Sequence, residues 1–583
     1  MGTGRATAAL AAAVLAVAAA IARAEELRVD TALGAVVGWR HEEKGIESFF
    51  GLPYAQQPVG ELRWQPPQPL TGWEGGELIA SSTRPDSVCC VQNSEELSFL
   101  GRYAQSEACL YLDIMRPSGA EAGSDLPVMV WIHGGGLESG CGQVAARDIV
   151  SARRPRLVSE GVIVVTINYR LNVFGFLGGD AIRARTSDGS SGSFGIQDQQ
   201  AALAWVHEHI DSFGGDPERI TIFGESAGGW SVSNHLVRPA SHPFFSGAII
   251  QSGAQGSYDS VKYPALGQAK TTEKANREFA AICRRGGCPE EGDVEYLLSL
   301  EADEMFGFHE DLANFRSEPE VDGVSLPASP AELVAAGVAA TVPVLITSTR
   351  DEMSNILQGF SIETEEDFDC LLTEACAAEV LPRRDISLLG SSFLTPRELE
   401  DAKVYYSSLF YEYPEDRGTY NRWWWTLMRL TTDSIPGFGR CSSRALGDAL
   451  MRAEPSATVY EAHFVRPVDD HSDWCFTEEC FSARNDGLHA VHAMDLDYVF
   501  EHPEAPEARE LSDAVELYWT AFAKSGDPNV DGLPSWPART LTSDTLMSFG
   551  GEAQGGLRVE EDVRRRACDW QERVAQRRAI AEE

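Results

Sequence analysis

The sequence predicts an α/β fold, with a mostly parallel central sheet and helices on both of its faces. Apolar runs typical of buried strands recur from Val128 to Phe464, and segments with helical periodicity lie between them. Strands and helices that alternate in this way are typical of a parallel sheet. The chain has no repeat of fixed period and no long linker-like stretch, so residues 25–583 are predicted to form a single domain.

The first 24 residues are predicted to be a secretory signal peptide. Arg5 precedes an unbroken apolar stretch over residues 8–22, which ends in the small-residue pattern Ala22-Arg23-Ala24. The alternative is an N-terminal membrane anchor, but the stretch is shorter than the roughly 20 residues that a spanning helix needs. We therefore expect a secreted protein with no stable membrane anchor.

Twelve cysteines support export, because an even number in an exported chain usually forms disulfides. Short spacing favours three small loops: Cys283 with Cys288, Cys370 with Cys376, and Cys475 with Cys480. A structural zinc site is the alternative, but these pairs lack the paired CxxC spacing of such sites. We expect neither a metal ion nor a cofactor.

The formal net charge of −40 bears on the binding partners. So acidic a protein repels phosphates, which argues against nucleic acid as a partner. Two interpretations of the charge stay open: an acidic cleft that attracts a cationic substrate, or a hydrated surface that keeps the protein soluble. The sequence predicts no oligomeric state.

The stretch Gly224-Glu225-Ser226-Ala227-Gly228 follows a β-branched run at residues 220–223 and begins a helical segment. This strand-turn-helix context is that of a nucleophile elbow, in which the serine sits on a sharp, strained turn. Glycines flank the serine because side chains there would collide with the neighbouring strand and helix. Ser226 is therefore the predicted nucleophile, and ester cleavage is the predicted reaction.

A second glycine-rich stretch predicts an oxyanion hole. The buried-strand run at residues 128–132 leads directly into His133-Gly134-Gly135-Gly136. In acyl transfer, preset N–H donors stabilise the charge that builds on the carbonyl oxygen, and each is typically worth roughly 3 to 4 kcal/mol of barrier. We expect the donors to be the N–H groups of Gly135, Gly136 and Ala227. The alternative is a mobile glycine loop without a catalytic role.

A serine nucleophile needs a base and a carboxylate that orients the base. Asp351 and Glu352 both follow the apolar run at residues 342–346, at the end of a strand where open α/β sheets place their sites. The candidates for the base are His463, His471, His489, His492 and His502. The residue pattern alone leaves both choices open.

Further motifs, together with the elbow, resemble the type-B carboxylesterases, a family that includes cholinesterases, some lipases and the catalytically silent neuroligins. The resemblance extends from Leu27 to about Trp570. The matching stretches are Phe50–Ala55, Pro58–Gly60 with Leu62–Trp64, Ser106–Leu112, Asn168–Arg170, Gly195–Gln199 and Phe213–Pro217. The resemblance implies an α/β-hydrolase fold and a serine hydrolase that acts on small-molecule carboxylic esters.

The resemblance also implies the acid and the base. Glu352 matches the glutamate of the family's acidic triad motif, which leaves Asp351 as a solvated or salt-bridged neighbour. His492 begins the stretch that resembles the family's histidine motif, so His492 is the predicted base and His489 a spectator. Two positions usually occupied by glycine differ here: Met353 puts the local turn in question, whereas Ala493 is a small change.

Other positions read as scaffold by the same resemblance. The implied pairs are Arg63 with Glu107, Arg170 with Asp198, Cys90 with Cys109, and Cys441 with Cys568. Cys89 and Cys141 are then left as a further candidate pair. Glu225 matches a position whose charge faces the site, where it either tunes the electrostatics or supports the elbow.

Two alternative functions can be weighed on the sequence. Cholinesterases hold a quaternary ammonium against a tryptophan in the loop that Cys90 and Cys109 would close; this loop has no tryptophan, and Phe99, near the equivalent place, binds cations less well. A neuroligin-like adhesion module loses the nucleophilic serine, which this chain retains. The tryptophans at 423–425 are expected to pack in the protein rather than line the site.

Overall fold

The computed structural model describes residues 27–80, 88–93, 103–255, 269–290, 292–310, 315, 317–354, 357, 360–380, 389, 392–406, 420–435, 437–466, 490–500, 506–551 and 556–582. The predictions that lie outside the described residues concern the signal peptide, the Cys475–Cys480 loop, Phe99, His471, His489 and His502.

The strands follow one another along the whole described chain. They are β1 (Leu27–Thr31), β2 (Gly34–His41), β3 (Ile46–Pro53), β4 (Glu77–Ile79), β5 (Val88–Cys89), β6 (Ala104–Gln105), β7 (Tyr111–Pro117), β8 (Leu126–Ile132), β9 (Ile163–Ile167), β10 (Gly215–Glu225), β11 (Gly247–Gln251), β12 (Val344–Thr349), β13 (Val459–Phe464), β14 (Thr545–Gly551) and β15 (Gly556–Glu561).

The main sheet has the strand order β1-β2-β3-β7-β9-β8-β10-β11-β12-β13-β14-β15, with β4 beside β2. All neighbours from β9 to β14 along this order pair in parallel. Antiparallel strands lie at both ends of the sheet. The predicted mostly parallel centre is therefore confirmed, and its carboxyl edge collects the loops that follow β8, β10, β11 and β12.

Helices connect the parallel strands. They are α1 (Gly142–Ser151), α2 (Arg156–Ser159), α3 (Asn172–Phe176), α4 (Asp180–Arg183), α5 (Phe194–His209), α6 (Ala227–Leu236), α7 (Thr272–Gly286), α8 (Val294–Leu298), α9 (Ala302–Glu310), α10 (Pro330–Ala335), α11 (Glu365–Leu371), α12 (Glu374–Val380), α13 (Pro396–Tyr406), α14 (Arg422–Ser434), α15 (Gly439–Ala453), α16 (Leu496–Phe500), α17 (Pro506–Ser525) and α18 (Arg565–Glu582). Within the described ranges, no helix combines the length and apolar character needed to cross a membrane.

The central strands are apolar on both faces because helices cover both sides of the sheet. Every residue of β9, β11 and β12 is buried. Trp131 of β8 packs against Phe223 of β10 and Phe500 of α16, with ring centroids 4.9 and 4.8 Å apart. This packing fixes the strands whose ends carry the candidate site.

The structure confirms the scaffold pairs. Among the described residues, the disulfides are Cys89–Cys141, Cys90–Cys109, Cys283–Cys288, Cys370–Cys376 and Cys441–Cys568. The Arg63 guanidinium lies 2.6 Å from the Glu107 carboxylate, and that of Arg170 lies 2.7 Å from Asp198. Trp424 and Trp425 lie buried in the main core, as the packing interpretation predicts.

Candidate active site

Ser226 lies in the sharp turn between β10 and α6. Its backbone has φ 56° and ψ −123°, a conformation that L-residues rarely adopt and that is retained only where the surroundings enforce it. A Cβ at Gly228 would lie 2.0 Å from the carbonyl oxygen of Ile132, and one at Gly224 would lie 2.5 Å from the carbonyl carbon of Gly228. The two flanking glycines are therefore required by close backbone packing, as the motif predicts.

The glycine loop after β8 abuts this turn. A Cβ at Gly134 would lie 2.8 Å from the carbonyl oxygen of Glu225 and 3.1 Å from Cβ of Ser226. Gly135 and Gly136 have φ values of 101° and 66°, in the left-handed region that glycine adopts without strain. The glycine loop and Ser226 therefore lie side by side at the carboxyl edge of the sheet.

The peptide groups of this loop have a defined orientation. The carbonyl of Gly134 accepts a hydrogen bond from Nδ1 of His133 at 2.8 Å, and the carbonyl of Gly135 accepts from the N–H groups of Glu138 and Ser139 at 3.0 Å. In a trans peptide the N–H points opposite to the carbonyl. The N–H groups of Gly135 and Gly136 are therefore turned away from these bonds, and the N–H of Ala227 lies at the N-terminus of α6.

Glu352 and His492 meet across 140 residues of sequence. Nδ1 of His492 lies 2.6 Å from Oε2 of Glu352, and a carboxylate can only accept, so Nδ1 carries the proton. Nε2 is then the nitrogen available to take a proton. Among the described residues no hydrogen bond joins Ser226 Oγ to His492, and such bonds often close only when substrate binds.

Nε2 of His492 faces a second carboxylate, that of Glu225, at 3.3 Å. Burial opposes the charged imidazole, but Glu225 and Glu352 outweigh it and raise the pKa of His492 to about 9. Burial raises the pKa of Glu225 to about 8, even though His492 favours its charged form. Glu225 thus lies where its charge stabilises the protonated form of His492, which favours the electrostatic interpretation of this residue.

The structure separates the two candidate acids. Asp351 is fully buried and pairs with Arg350 at 2.8 Å and with Arg429 at 3.2 Å. Burial alone would raise its pKa, but these arginines lower the pKa of Asp351 to about 2. Asp351 is therefore the salt-bridged neighbour of Glu352. Its N–H donates to the carbonyl of Ala490 at 2.9 Å, which links the turn of Glu352 to the segment of His492.

Sequence reasoning missed a serine that contacts Glu352. Ser252, just after β11, donates from Oγ to Oε1 of Glu352 at 2.6 Å, and the N–H of Thr349 donates to the same oxygen at 2.7 Å. Ser252 has a φ of 46°, a strained value for serine. Its contact spans 100 residues of sequence, and the only sequence signal is its place at the end of an apolar strand run.

A third buried carboxylate also escaped the sequence analysis. Asp495 accepts a hydrogen bond from Nε2 of Gln251 at 2.6 Å. Burial raises the pKa of Asp495 to about 6. The sequence shows that Asp495 lies three residues after His492, but it does not predict the hydrogen bond to Gln251.

The two departures from glycine have different outcomes. Met353 is fully buried, its N–H donates to Oγ1 of Thr432 at 3.2 Å, and its φ is not positive, so this turn does not require glycine. Ala493 is accommodated in the buried site but has a φ of 68°, where a Cβ is strained. Within the described part of the chain, no three His, Cys, Asp or Glu side chains are grouped to hold a metal ion.

The sequence of this chain is also similar to those of known proteins. The sequence profile of the Carboxylesterase family matches residues 25–571. The acylcarnitine hydrolase of Mus musculus is 30% identical over 86% of this chain and 83% of its own length. The para-nitrobenzyl esterase of Bacillus subtilis strain 168 is 30% identical over 89% of this chain and 94% of its own length. The cocaine esterase of Homo sapiens is 31% identical, with 87% and 84% covered.

Solved structures of esterases have the same fold as this chain. A PNB esterase superposes with a TM-score of 0.70 at 28% identity, over 93% of this chain and 99% of that chain. A carboxylesterase of Geobacillus stearothermophilus, solved at pH 6.8, superposes with a TM-score of 0.70 at 30% identity, over 94% and 99%. Because the profile and the fold both match over nearly the whole sequence, this chain belongs to the carboxylesterase family and is a carboxylic ester hydrolase with the α/β-hydrolase fold.

Proposed function

We propose that this protein is a secreted serine esterase that cleaves small, uncharged carboxylic esters through an acyl-enzyme intermediate. Ser226 is the nucleophile, His492 the general base and acid, and Glu352 the carboxylate that orients His492. The single observation that carries the proposal is the 2.6 Å contact between His492 and Glu352, with Nε2 turned toward the residue that precedes Ser226.

In the acylation step, Oγ of Ser226 attacks the ester carbonyl while Nε2 of His492 takes the serine proton. The carbonyl oxygen becomes an oxyanion and accepts hydrogen bonds from the N–H groups of Gly135, Gly136 and Ala227. Collapse of this intermediate breaks the ester C–O bond, and His492 returns the proton to the leaving alcohol. Water then repeats the sequence on the acyl-enzyme and releases the carboxylic acid.

Several contacts around these three residues, together with the disulfides, support the proposal. Glu225 lies 3.3 Å from Nε2 and stabilises the imidazolium that forms in both steps. Oε1 of Glu352 is held by Ser252 and by the backbone of Thr349, so Oε2 is kept for His492. Five disulfides among the described residues favour an oxidising compartment and hence secretion.

The substrate range is best tested on a panel of esters. The relatives act, by their names, on para-nitrobenzyl esters, cocaine and acylcarnitines, so the panel should contain a neutral short-chain ester, a long-chain ester and a quaternary ammonium ester. We expect turnover of the neutral short-chain ester that disappears in Ser226→Ala. Equal rates for wild type and Ser226→Ala would refute the assigned nucleophile. Turnover of the ammonium ester alone would favour a cholinesterase-like function.

A further inference from the structure

The glycine loop after β8, which contains the proposed oxyanion-hole donors, depends on neighbouring groups for its shape. Gly135, Gly136 and Leu137 have consecutive positive φ values of 101°, 66° and 63°. Leucine is strained in this region, so the conformation persists only where neighbouring groups enforce it. One such contact is the N–H of Asn172, which donates to the carbonyl of Leu137 at 2.8 Å.

The C-terminal end of this loop, at Ser139 and Gly140, lies directly against Gly134 and Gly135, whose peptide carries one of the proposed donor N–H groups. A Cβ at Gly140 would lie 2.5 Å from the carbonyl oxygen of Gly134, and one at Gly135 would lie 2.3 Å from the carbonyl oxygen of Ser139. The Gly134 carbonyl belongs to the same rigid peptide as the N–H of Gly135. A displacement of Gly140 therefore displaces a donor of the oxyanion hole.

Gly140 is held by one distant segment, residues 88–93. Gln92 is almost fully buried and clamps Gly140 with both amide atoms: Oε1 accepts from the N–H of Gly140 at 2.7 Å, and Nε2 donates to its carbonyl at 2.9 Å. Cys141, the next residue, is joined by a buried disulfide to Cys89, three residues before Gln92. A covalent bond and a two-point hydrogen bond thus join the same two segments.

We propose that the Cys89–Cys141 disulfide and Gln92 are positioning residues for the oxyanion hole. They hold Gly140 against the Gly134–Gly135 peptide, so the donor N–H groups are set before substrate arrives. The inference rests on the proposed function, because it gives these N–H groups their role. Preset donors act on the transition state more than on the bound ester, so this clamp should affect kcat rather than KM.

The test compares the double variant Cys89→Ser/Cys141→Ser with wild type. We expect kcat to fall by about tenfold or more with KM changed by less than about twofold, since small misplacement of catalytic groups has large rate effects. The affinity for a trifluoromethyl ketone, which forms an oxyanion on the serine, should fall by the same factor as kcat/KM. The matched control is Cys283→Ser/Cys288→Ser, which removes a disulfide outside the site and should leave these constants unchanged.

A second variant guards against a folding defect. Gln92→Leu keeps the disulfide and should give the same division between kcat and KM, and a cooperative melting transition will show that the variant is folded. Unchanged kcat and ketone affinity in both variants would overturn the inference, and so would a rise in KM with kcat preserved. If Ser226→Ala kept its activity, the proposed function itself would be wrong. If Ser226→Ala were inactive but the disulfide variant and Gln92→Leu both had the kcat of wild type, only this inference would be wrong.

Discussion

The proposed nucleophile elbow is held by backbone packing, whereas the proposed acid–base pair, Glu352 and His492, is held by hydrogen bonds and charges from both near and distant residues. At the elbow, Gly224 and Gly228 let the helix lie against β8, and a single methyl group would collide with the backbone. On the other side, Glu352 receives hydrogen bonds from Ser252 and Thr349. The elbow therefore tolerates no added atom, while the acid–base side depends on charges and hydrogen bonds that can be tuned.

The largest effect should come from adding one carbon at the elbow. Gly228→Ala places a Cβ 2.0 Å from the carbonyl oxygen of Ile132, in backbone that cannot move aside. We expect a loss of about 3 kcal/mol or more in the free energy of unfolding, together with loss of esterase activity. The matched control is Gly307→Ala in α9, where a Cβ meets nothing within 4 Å. Thermal unfolding should show no loss for the control, and equal melting temperatures for the two variants would contradict the packing argument.

A smaller effect, visible in the pH profile, should follow from removing the carboxylate beside the base. If His492 is the base, as proposed, it must be neutral to accept a proton, so kcat/KM should rise with pH through the pKa of His492, which the neighbouring carboxylates raise to about 9. Glu225→Gln removes a negative charge that raises this pKa, so the rising limb should move to lower pH by about one unit or more. The plateau should fall by about tenfold, because the imidazolium of the transition state loses a partner.

The control for this prediction lies on the same strand. Glu218→Gln changes a carboxylate of β10 that is 84% exposed, so solvent screens its charge. Its pH profile should coincide with that of wild type. A limb that stays in place in Glu225→Gln would show that this carboxylate does not act on the base.

The smallest effect should come from relieving backbone strain beside the base. Ala493 has a φ of 68°, a value that glycine adopts without strain and alanine does not. We expect Ala493→Gly to raise the free energy of unfolding by about 0.5 to 1 kcal/mol. Ala490→Gly, at a buried position without a positive φ, should change stability in the opposite direction. Denaturant midpoints measure both, and a lower midpoint for Ala493→Gly would contradict the strain argument.

The elbow could be predicted from the sequence because its signature, a β-branched run followed by glycines on either side of Ser226, lies in one short stretch, although the contact that requires Gly228 is made with Ile132 of β8. The order of apolar runs and the spacing around Ser226 and Gly134–Gly136 carry the information for the sheet, the turn and the loop. The acid–base side could not be predicted from the pattern alone. The choice of Glu352 over Asp351 needed the family resemblance, because both follow the same strand.

Contacts between distant segments stayed hidden for a physical reason. Ser252 reaches Glu352 across 100 residues, and Gln251 reaches Asp495 across 244. Their side chains have no local periodicity that would reveal a partner. Ala493 shows the same limit at the backbone: the sequence predicts a harmless small residue, and only the fold reveals its positive φ.

The most direct test of the central claim is covalent labelling of the nucleophile. A fluorophosphonate should add one group per protein, and peptide mass spectrometry should place it on Ser226. Labelling should be absent in Ser226→Ala and greatly slowed in His492→Ala, since the serine then lacks its base. An adduct on another residue, or equal labelling rates in wild type and His492→Ala, would contradict the account.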